Sequence, residues 1–349
     1  MNPYILAFLL FALGLGTTIT FSSTHWFLAW MGLEISTLAI LPLMTQNSHP
    51  RAIEATTKYF LTQAAAAATL LFASTSNAWL TGQWNISLMM HPLPATLIIL
   101  ALSMKIGLAP LHTWLPEVLQ GLDITTGLIM STWQKLAPFS LLLQTPLQSH
   151  PLLVLLAITS TLVGGWGGLN QTQLRKVLAY SSIAHLGWMI LVLQFNTPLT
   201  MLTLGLYLAM TSAAFLTLKA NNATNINTLA TSWAKIPTLA ALLPLVLLSL
   251  GGLPPLTGFM PKWLILQELT KQGLPLAATI AALSALLSLY FYLRISYAMA
   301  LTMAPNNTTG TTPWRLYNSQ QTLPLATSVA LSLVLLPLTP AISAFLTLS

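Results

Sequence analysis

The chain has 349 residues, of which 55% are hydrophobic and only 5% charged. A water-facing surface normally needs about a quarter charged residues, so this composition excludes a set of soluble domains and predicts a polytopic membrane protein. The absence of cysteine excludes disulfides, thiolate-bound zinc and cysteine-ligated iron–sulfur clusters within the chain.

The start, Met1 to Tyr4, has neither the basic region of a signal peptide nor the Arg-rich character of a transit sequence, so insertion is expected to begin with the first span. So apolar a chain without an import address fits bacterial origin or synthesis inside an organelle. Apolar segments separated by polar or Pro/Gly-rich breaks run through 3–22, 25–44, 52–77, 95–117, 124–145, 150–170, 174–195, 199–219, 236–268, 274–300 and 322–346. These predict about eleven transmembrane helices. The ninth is too long for one straight crossing, and Gly251, Gly252, Pro254 and Pro255 inside it predict two half-helices joined by an unwound turn.

A ten-residue pattern occurs twice. Gly107, Leu108, Pro110, Leu111 and Pro116 recur with the same spacing as Gly252, Leu253, Pro255, Leu256 and Pro261. A lysine is near each copy, Lys105 before the first and Lys262 after the second. The copies lie in spans four and nine, which run in opposite directions; this is the mark of an inverted repeat. The expected fold is therefore all-α, with two inverted five-helix units, each holding a discontinuous helix, and an appended helix. Their expected boundaries are 1–147, 148–301 and 302–349. Chance similarity of Pro-rich apolar text is the alternative.

Orientation follows from Lys and Arg. Arg51, Lys58, Arg175, Lys176, Lys219, Lys235, Arg294 and Arg315 hold or border even-numbered connections, and only Lys271 lies in an odd one. The positive-inside bias puts the N-terminus on the matrix or cytoplasmic side and the C-terminus outside.

Glu34, Lys105, Lys135 and Lys262 remain inside predicted spans. An ionised side chain at mid-membrane costs roughly 2.5–3.5 kcal/mol, so pairing, hydration or neutralisation must offset each. Burial favours the uncharged form of a lysine and an approaching carboxylate favours the charged form, so a Glu–Lys pair is a switchable proton carrier. Glu34 is the only carboxylate at that depth, which makes Lys105 its expected partner. Static ion pairs that only hold helices together are the alternative, but three lysines cannot all be paired by one carboxylate. At the breaks, Pro110, Pro254 and Pro255 cannot donate to the carbonyls of Ile106, Leu250 and Gly251. Acceptors left open at membrane depth need water, protein or an ammonium. A kink used only for packing is the competing reading. His185 is a candidate proton relay or a structural hydrogen-bonding group; His112, just past the first break, is placed at the inner mouth of a path. Glu117 and Asp123 are expected to border the inner surface, and Ser182, Thr132 and Gln134 stay unranked as water-holding groups.

Residues 30–36 (with Glu34), 49–60, 105–117, 168–176 and 251–263 together resemble the antiporter-like membrane subunits of respiratory complex I, in their animal mitochondrial form. The resemblance runs through most of the chain and extends to sodium/proton antiporters of the Mrp type. It implies two inverted five-helix units, with functional charges that fall on Glu34 and Lys105 as a pair, Lys135 as a bridge and Lys262 on the second broken helix. Longer family members have three more helices ahead of the first unit, which leaves one flank here for other subunits. The implied role is proton translocation coupled to NADH oxidation and ubiquinone reduction, in the inner mitochondrial membrane. The implied partners are other membrane-arm subunits, subunits 4 and 4L and accessory subunits among them, and phospholipids including cardiolipin, with no nucleic acid. No cofactor is expected in this chain; NAD, FMN, iron–sulfur clusters and ubiquinone would belong to other subunits. The alternatives are a scaffold subunit of the same arm without its own path, and an independent cation/proton antiporter.

Overall fold

A computed structural model describes residues 2–46, 49–88, 91–146, 151–234, 237–302 and 322–348. The chain is all-helical and divides into two compact units, Met1–Leu156 and Ala157–Ser349. The expected boundary between 147 and 148 lies outside the described residues, as do Lys235 and Arg315 of the orientation argument.

The first unit contains α1 (Pro3–Ser22), α2 (Trp26–Met44), α3 (Pro50–Thr81), α4 (Pro92–Ile106), α5 (Trp114–Gly121), α6 (Ile124–Ser131) and α7 (Trp133–Gln144), and α8 (Pro151–Gly167) begins at its end. The second contains α9 (Leu174–Leu193), α10 (Thr197–Asn221), the short α11 (Ile226–Ala230), α12 (Pro237–Gly251), α13 (Phe259–Lys271), α14 (Pro275–Leu301), α15 (Thr322–Val334) and α16 (Thr339–Leu348). Proline opens α1, α3, α4, α10 and α14, where its missing N–H costs nothing. Asn2, His49 and Asn196 cap α1, α3 and α10 with side-chain acceptors.

Five helices, α1, α2, α9, α10 and α14, are long and apolar enough to cross a membrane singly. Two predicted spans differ from a single helix. Span five is broken at Thr132, whose hydroxyl donates to the Leu128 carbonyl at 2.7 Å and competes with the helix ladder. The last span bends by 66° between α15 and α16, where Pro337 has no N–H for the carbonyl of Leu333.

In the first unit α2 packs on α1, α3 and α7, and α4 packs on α3 and α7. In the second, α10 packs on α9, α12, α13 and α15, while α14 packs on α12 and α13. Each unit carries the same small lock, between the start of α2 and the chain after α3 in the first and between the start of α9 and the chain after α10 in the second. Trp26 N–H bonds to Trp84 O and Ile86 N–H to Thr24 O; Leu174 N–H bonds to Thr224 O and Ile226 N–H to Thr172 O. His25 is bridged to Asn85 in one case and Gln173 to Asn225 in the other.

The α1–α2 contact brings backbones together. A Cβ on Gly16 would stand 2.7 Å from Gly32 O, and one on Gly32 would stand 2.7 Å from the Thr20 methyl. Without a hydrophobic driving force between helices in lipid, such close approach of small residues is what holds the pair. Gly16→Leu is expected to separate α1 from α2 and destabilise the first unit by about 1–3 kcal/mol, as overpacking does. Gly14→Ala, with nothing within 4 Å of its Cβ, should be neutral in the same thermal-stability measurement on the solubilised protein.

Candidate functional site: two broken helices and a lysine cavity

The break between α4 and α5 spans residues 107–113, and that between α12 and α13 spans 252–258. Each opens on a glycine in the left-handed region, Gly107 at φ 88° and Gly252 at φ 82°. A residue with a Cβ adopts this conformation only at a cost, which is why glycine stands here. In both, the following leucine N–H returns five residues along the chain, Leu108 to Ser103 O at 3.0 Å and Leu253 to Leu248 O at 3.4 Å. This is the six-to-one bond of a Schellman ending.

The remaining carbonyls are satisfied differently in the two units. At the end of α4, the Trp114 indole donates to Met104 O at 3.1 Å and the Gln63 amide to Lys105 O at 3.4 Å. At the end of α12 the Lys262 ammonium itself donates to Gly251 O at 2.8 Å. Water, protein or an ammonium were the expected partners of the open carbonyls; an ammonium takes this place at the second break, and Gln63 and Trp114 take it at the first. The aliphatic end of Lys262 lies over Gly252, where an added Cβ would be 3.0 Å from its Cδ and Nζ.

Lys105 is therefore released from backbone duty. It is 5% exposed, and its ammonium has no hydrogen-bond partner among the described residues. It lines an internal cavity of about 10 Å³ together with Lys135, which is 4% exposed. Ser36 and Thr37 of α2, Tyr59 and Gln63 of α3, Trp114 of α5 and Gln134 of α7 complete the polar and aromatic part of the wall. The volume is roughly the free space one water molecule needs.

Lys105 occupies the last turn of α4 and Lys135 the first turn of α7. A cation at a helix C-terminus meets the negative end of the helix dipole and one at an N-terminus the positive end, each worth about 0.3–1 kcal/mol. The Thr132 break creates that second terminus. Gln134 Nε2 donates to Ser36 O at 3.1 Å and ties the start of α7 to α2.

Glu34 lies on α2 one turn from the cavity wall, half-buried, with the Thr37 hydroxyl 3.4 Å from its carboxylate. Among the described residues, ion pairs within 4.0 Å join Lys58 to Glu54 and Glu117, and Lys271 to Glu268. The expected Glu34–Lys105 contact is thus not closed. His112 sits in the first unwound segment, half-buried, its carbonyl taking the Leu115 N–H at 3.0 Å. His185 lies on α9 in the second unit with its ring 5.8 Å from that of Tyr207.

Residues 23–288 match the family model described as NADH:quinone oxidoreductase/Mrp antiporter, transmembrane, and residues 289–343 match that of the NADH dehydrogenase subunit 2 C-terminus. The chain belongs to this family. It is 74% identical over 342 residues to NADH-ubiquinone oxidoreductase chain 2 of Tetraodon nigroviridis, covering 98% of each chain. It is 70% identical over 349 residues to that of Salmo salar, covering all of both. Among solved structures it matches a chain of respiratory complex I from Thermus thermophilus with bound aureothin, at TM-score 0.87 and 30% identity. That match covers 99% of this chain and 80% of the other. An Mrp complex from a Dietzia strain matches at TM-score 0.80 and 18% identity, over 97% of this chain and 76% of its own, and shows a shared fold.

In this member of the family, Gln63, Tyr59 and Trp114 are site residues that sequence reasoning missed. Amides and aromatic side chains in an apolar helix carry no periodic signal, although Trp114 lies inside the first decapeptide. Gly252→Ala is expected to strain the second break and dislodge the Lys262 ammonium from Gly251 O. Faster amide hydrogen exchange across 252–258 would register this, against a silent control at Gly205→Ala, where a Cβ meets nothing within 4 Å.

Proposed function

We infer that this chain is a core membrane-arm subunit of the proton-translocating NADH:ubiquinone oxidoreductase, and that its lysines carry protons. The supporting observation is the cavity: two buried lysines, on helix ends of opposite sign, face one space with room for about one water. A positive charge at this depth costs roughly 2.5–3.5 kcal/mol, so a second charge entering the cavity tends to expel the first. Passing a positive charge from Lys105 to Lys135 also runs against the helix-end field and has to be driven.

In the proposed sequence Lys105 is loaded when Glu34 approaches, Lys135 bridges, and Lys262 passes the proton to a neighbouring subunit or the outer face. His112 serves the entry side and His185 a relay in the second unit. Outward movement against the membrane potential costs about 2.3 kcal/mol per 100 mV, so a passive row would leak backwards. The opening and closing of the Glu34–Lys105 contact is the gate in this scheme. NADH oxidation and ubiquinone reduction elsewhere in the complex supply the drive. NAD, FMN, iron–sulfur clusters and ubiquinone are assigned to other subunits, in line with a chain that has no cysteine.

The topology we propose is eleven spans, with inverted five-helix units over 1–147 and 148–301 and a final segment over 302–349. Supporting it, both breaks are seven residues long and end their first half-helix in the same way, and both units carry the same inter-strand lock. The N-terminus is assigned to the matrix and the C-terminus to the intermembrane space of the inner mitochondrial membrane. Subunits 4 and 4L, accessory subunits and phospholipids including cardiolipin are the proposed neighbours.

Lys105→Met keeps the volume and removes the proton site. In sealed membranes holding the assembled complex, the ratio of protons pumped to NADH oxidised is expected to fall, or pumping and oxidation to fall together. Normal assembly, oxidation rate and ratio would instead leave the chain as a scaffold of the membrane arm.

A further inference from the structure

Only five carboxylates exist in the whole chain, and two of them meet on its surface. The Lys58 ammonium lies 2.8 Å from Glu54 Oε1 and 2.7 Å from Glu117 Oε2, with all three side chains 44–64% exposed. Solvent screens exposed ion pairs of this kind, so they add little to stability.

The two helices that carry the cluster also carry the nearest wall of the lysine cavity. Lys58 is followed on α3 by Tyr59, and Glu117 follows Trp114 by three residues, hence on one face of α5. The Tyr59 and Trp114 rings meet at 5.7 Å between centroids, tilted by 58°, and both line the cavity into which the unpartnered, buried Lys105 ammonium projects. The carboxylates of the cluster are exposed, and Lys105 lies in the cavity that the two rings line. By the register of the repeated decapeptide, Glu117 follows Pro116 as Lys262 follows Pro261. The position that holds a site lysine in the second unit thus holds an exposed carboxylate in the first.

We infer that Glu54, Lys58 and Glu117 form the proton-entry site of the first unit, taking protons from the aqueous face and delivering them past Tyr59 and Trp114 to the Lys105 cavity. The inference rests on the reading above, under which this face is the matrix side. In the uptake step a buffer acid or hydronium gives its proton to a Glu117 carboxylate oxygen. The carboxylate becomes a neutral acid, its contact with the Lys58 ammonium weakens, and the acid then gives the proton, through water entering beside Tyr59 and Trp114, to the neutral Lys105 amine, which becomes an ammonium as Glu117 recovers its charge. Lys58 keeps the empty carboxylates close together between turnovers. Arg51 and His49 at the start of α3, His112 in the break and Asp123 before α6 are the other titratable or charged groups on the elements that carry the cluster.

Mobile buffer separates collection from structure. In sealed vesicles of the assembled complex at low buffer strength, Glu54→Gln/Glu117→Gln is expected to slow coupled NADH oxidation several-fold, with the proton-to-NADH ratio kept, and added imidazole buffer to restore the rate. An unchanged rate at low buffer, or a loss that imidazole does not restore, overturns the entry site. Should the double variant fail to assemble, Glu54→Gln alone must show a smaller, imidazole-restored slowing, and its absence overturns the inference equally. Lys105→Met in the same vesicles keeps the two ideas apart: its lowered ratio should not respond to buffer. If Lys105→Met fails as expected while the glutamine variants behave normally, the entry site falls and the lysine path stands; if Lys105→Met keeps its ratio, the path itself falls.

Discussion

A helix that stops inside a membrane leaves up to four carbonyls without donors, and hydrocarbon offers no water to satisfy them. Each unit of this chain stops such a helix, after Ile106 and after Gly251. The rest of the site follows from which donors answer. In the first unit a backbone return, an indole and an amide take Ser103 O, Met104 O and Lys105 O. In the second, the ammonium of Lys262 takes Gly251 O.

The consequence in the first unit is a lysine whose ammonium has no hydrogen-bond partner among the described residues, facing a space of about 10 Å³. A buried cation without a fixed partner is unstable as a structural element and well suited to gaining and losing a proton. Its surroundings are assembled from four directions: α2 through Ser36 and Thr37, α3 through Tyr59 and Gln63, α5 through Trp114 and α7 through Gln134 and Lys135. The backbone contact of α1 with α2 at Gly16 and Gly32 supports one of these walls.

The consequence in the second unit is the reverse. Lys262 is tied to the geometry of its own break, because its ammonium is the cap and its aliphatic chain rests on the glycine that makes the turn. Two similar decapeptides thus give one lysine independent of its break and one bound to it, and the difference is set by whether Gln63 and Trp114 or Lys262 supplies the donors.

Sequence alone determined the apolar helical character, the two breaks and the four charges that fall within apolar segments, Glu34, Lys105, Lys135 and Lys262. These follow from composition, from proline and glycine chemistry, and from the cost of charge in an apolar segment, all of which are local. The break at Thr132 was missed because threonine is common in these spans and its competition with the ladder depends on neighbours. The Glu34–Lys105 pair was expected from scarcity of partners, and among the described residues no ion pair joins the two. Only the tertiary structure decided that Lys105 and Lys135 share a cavity, that Gln63 and Trp114 cap one break, and that Lys262 caps the other. The capping side chains lie 10, 11 and 42 positions from the carbonyls they reach, and no local rule of propensity or periodicity encodes which side chain will reach an open carbonyl first.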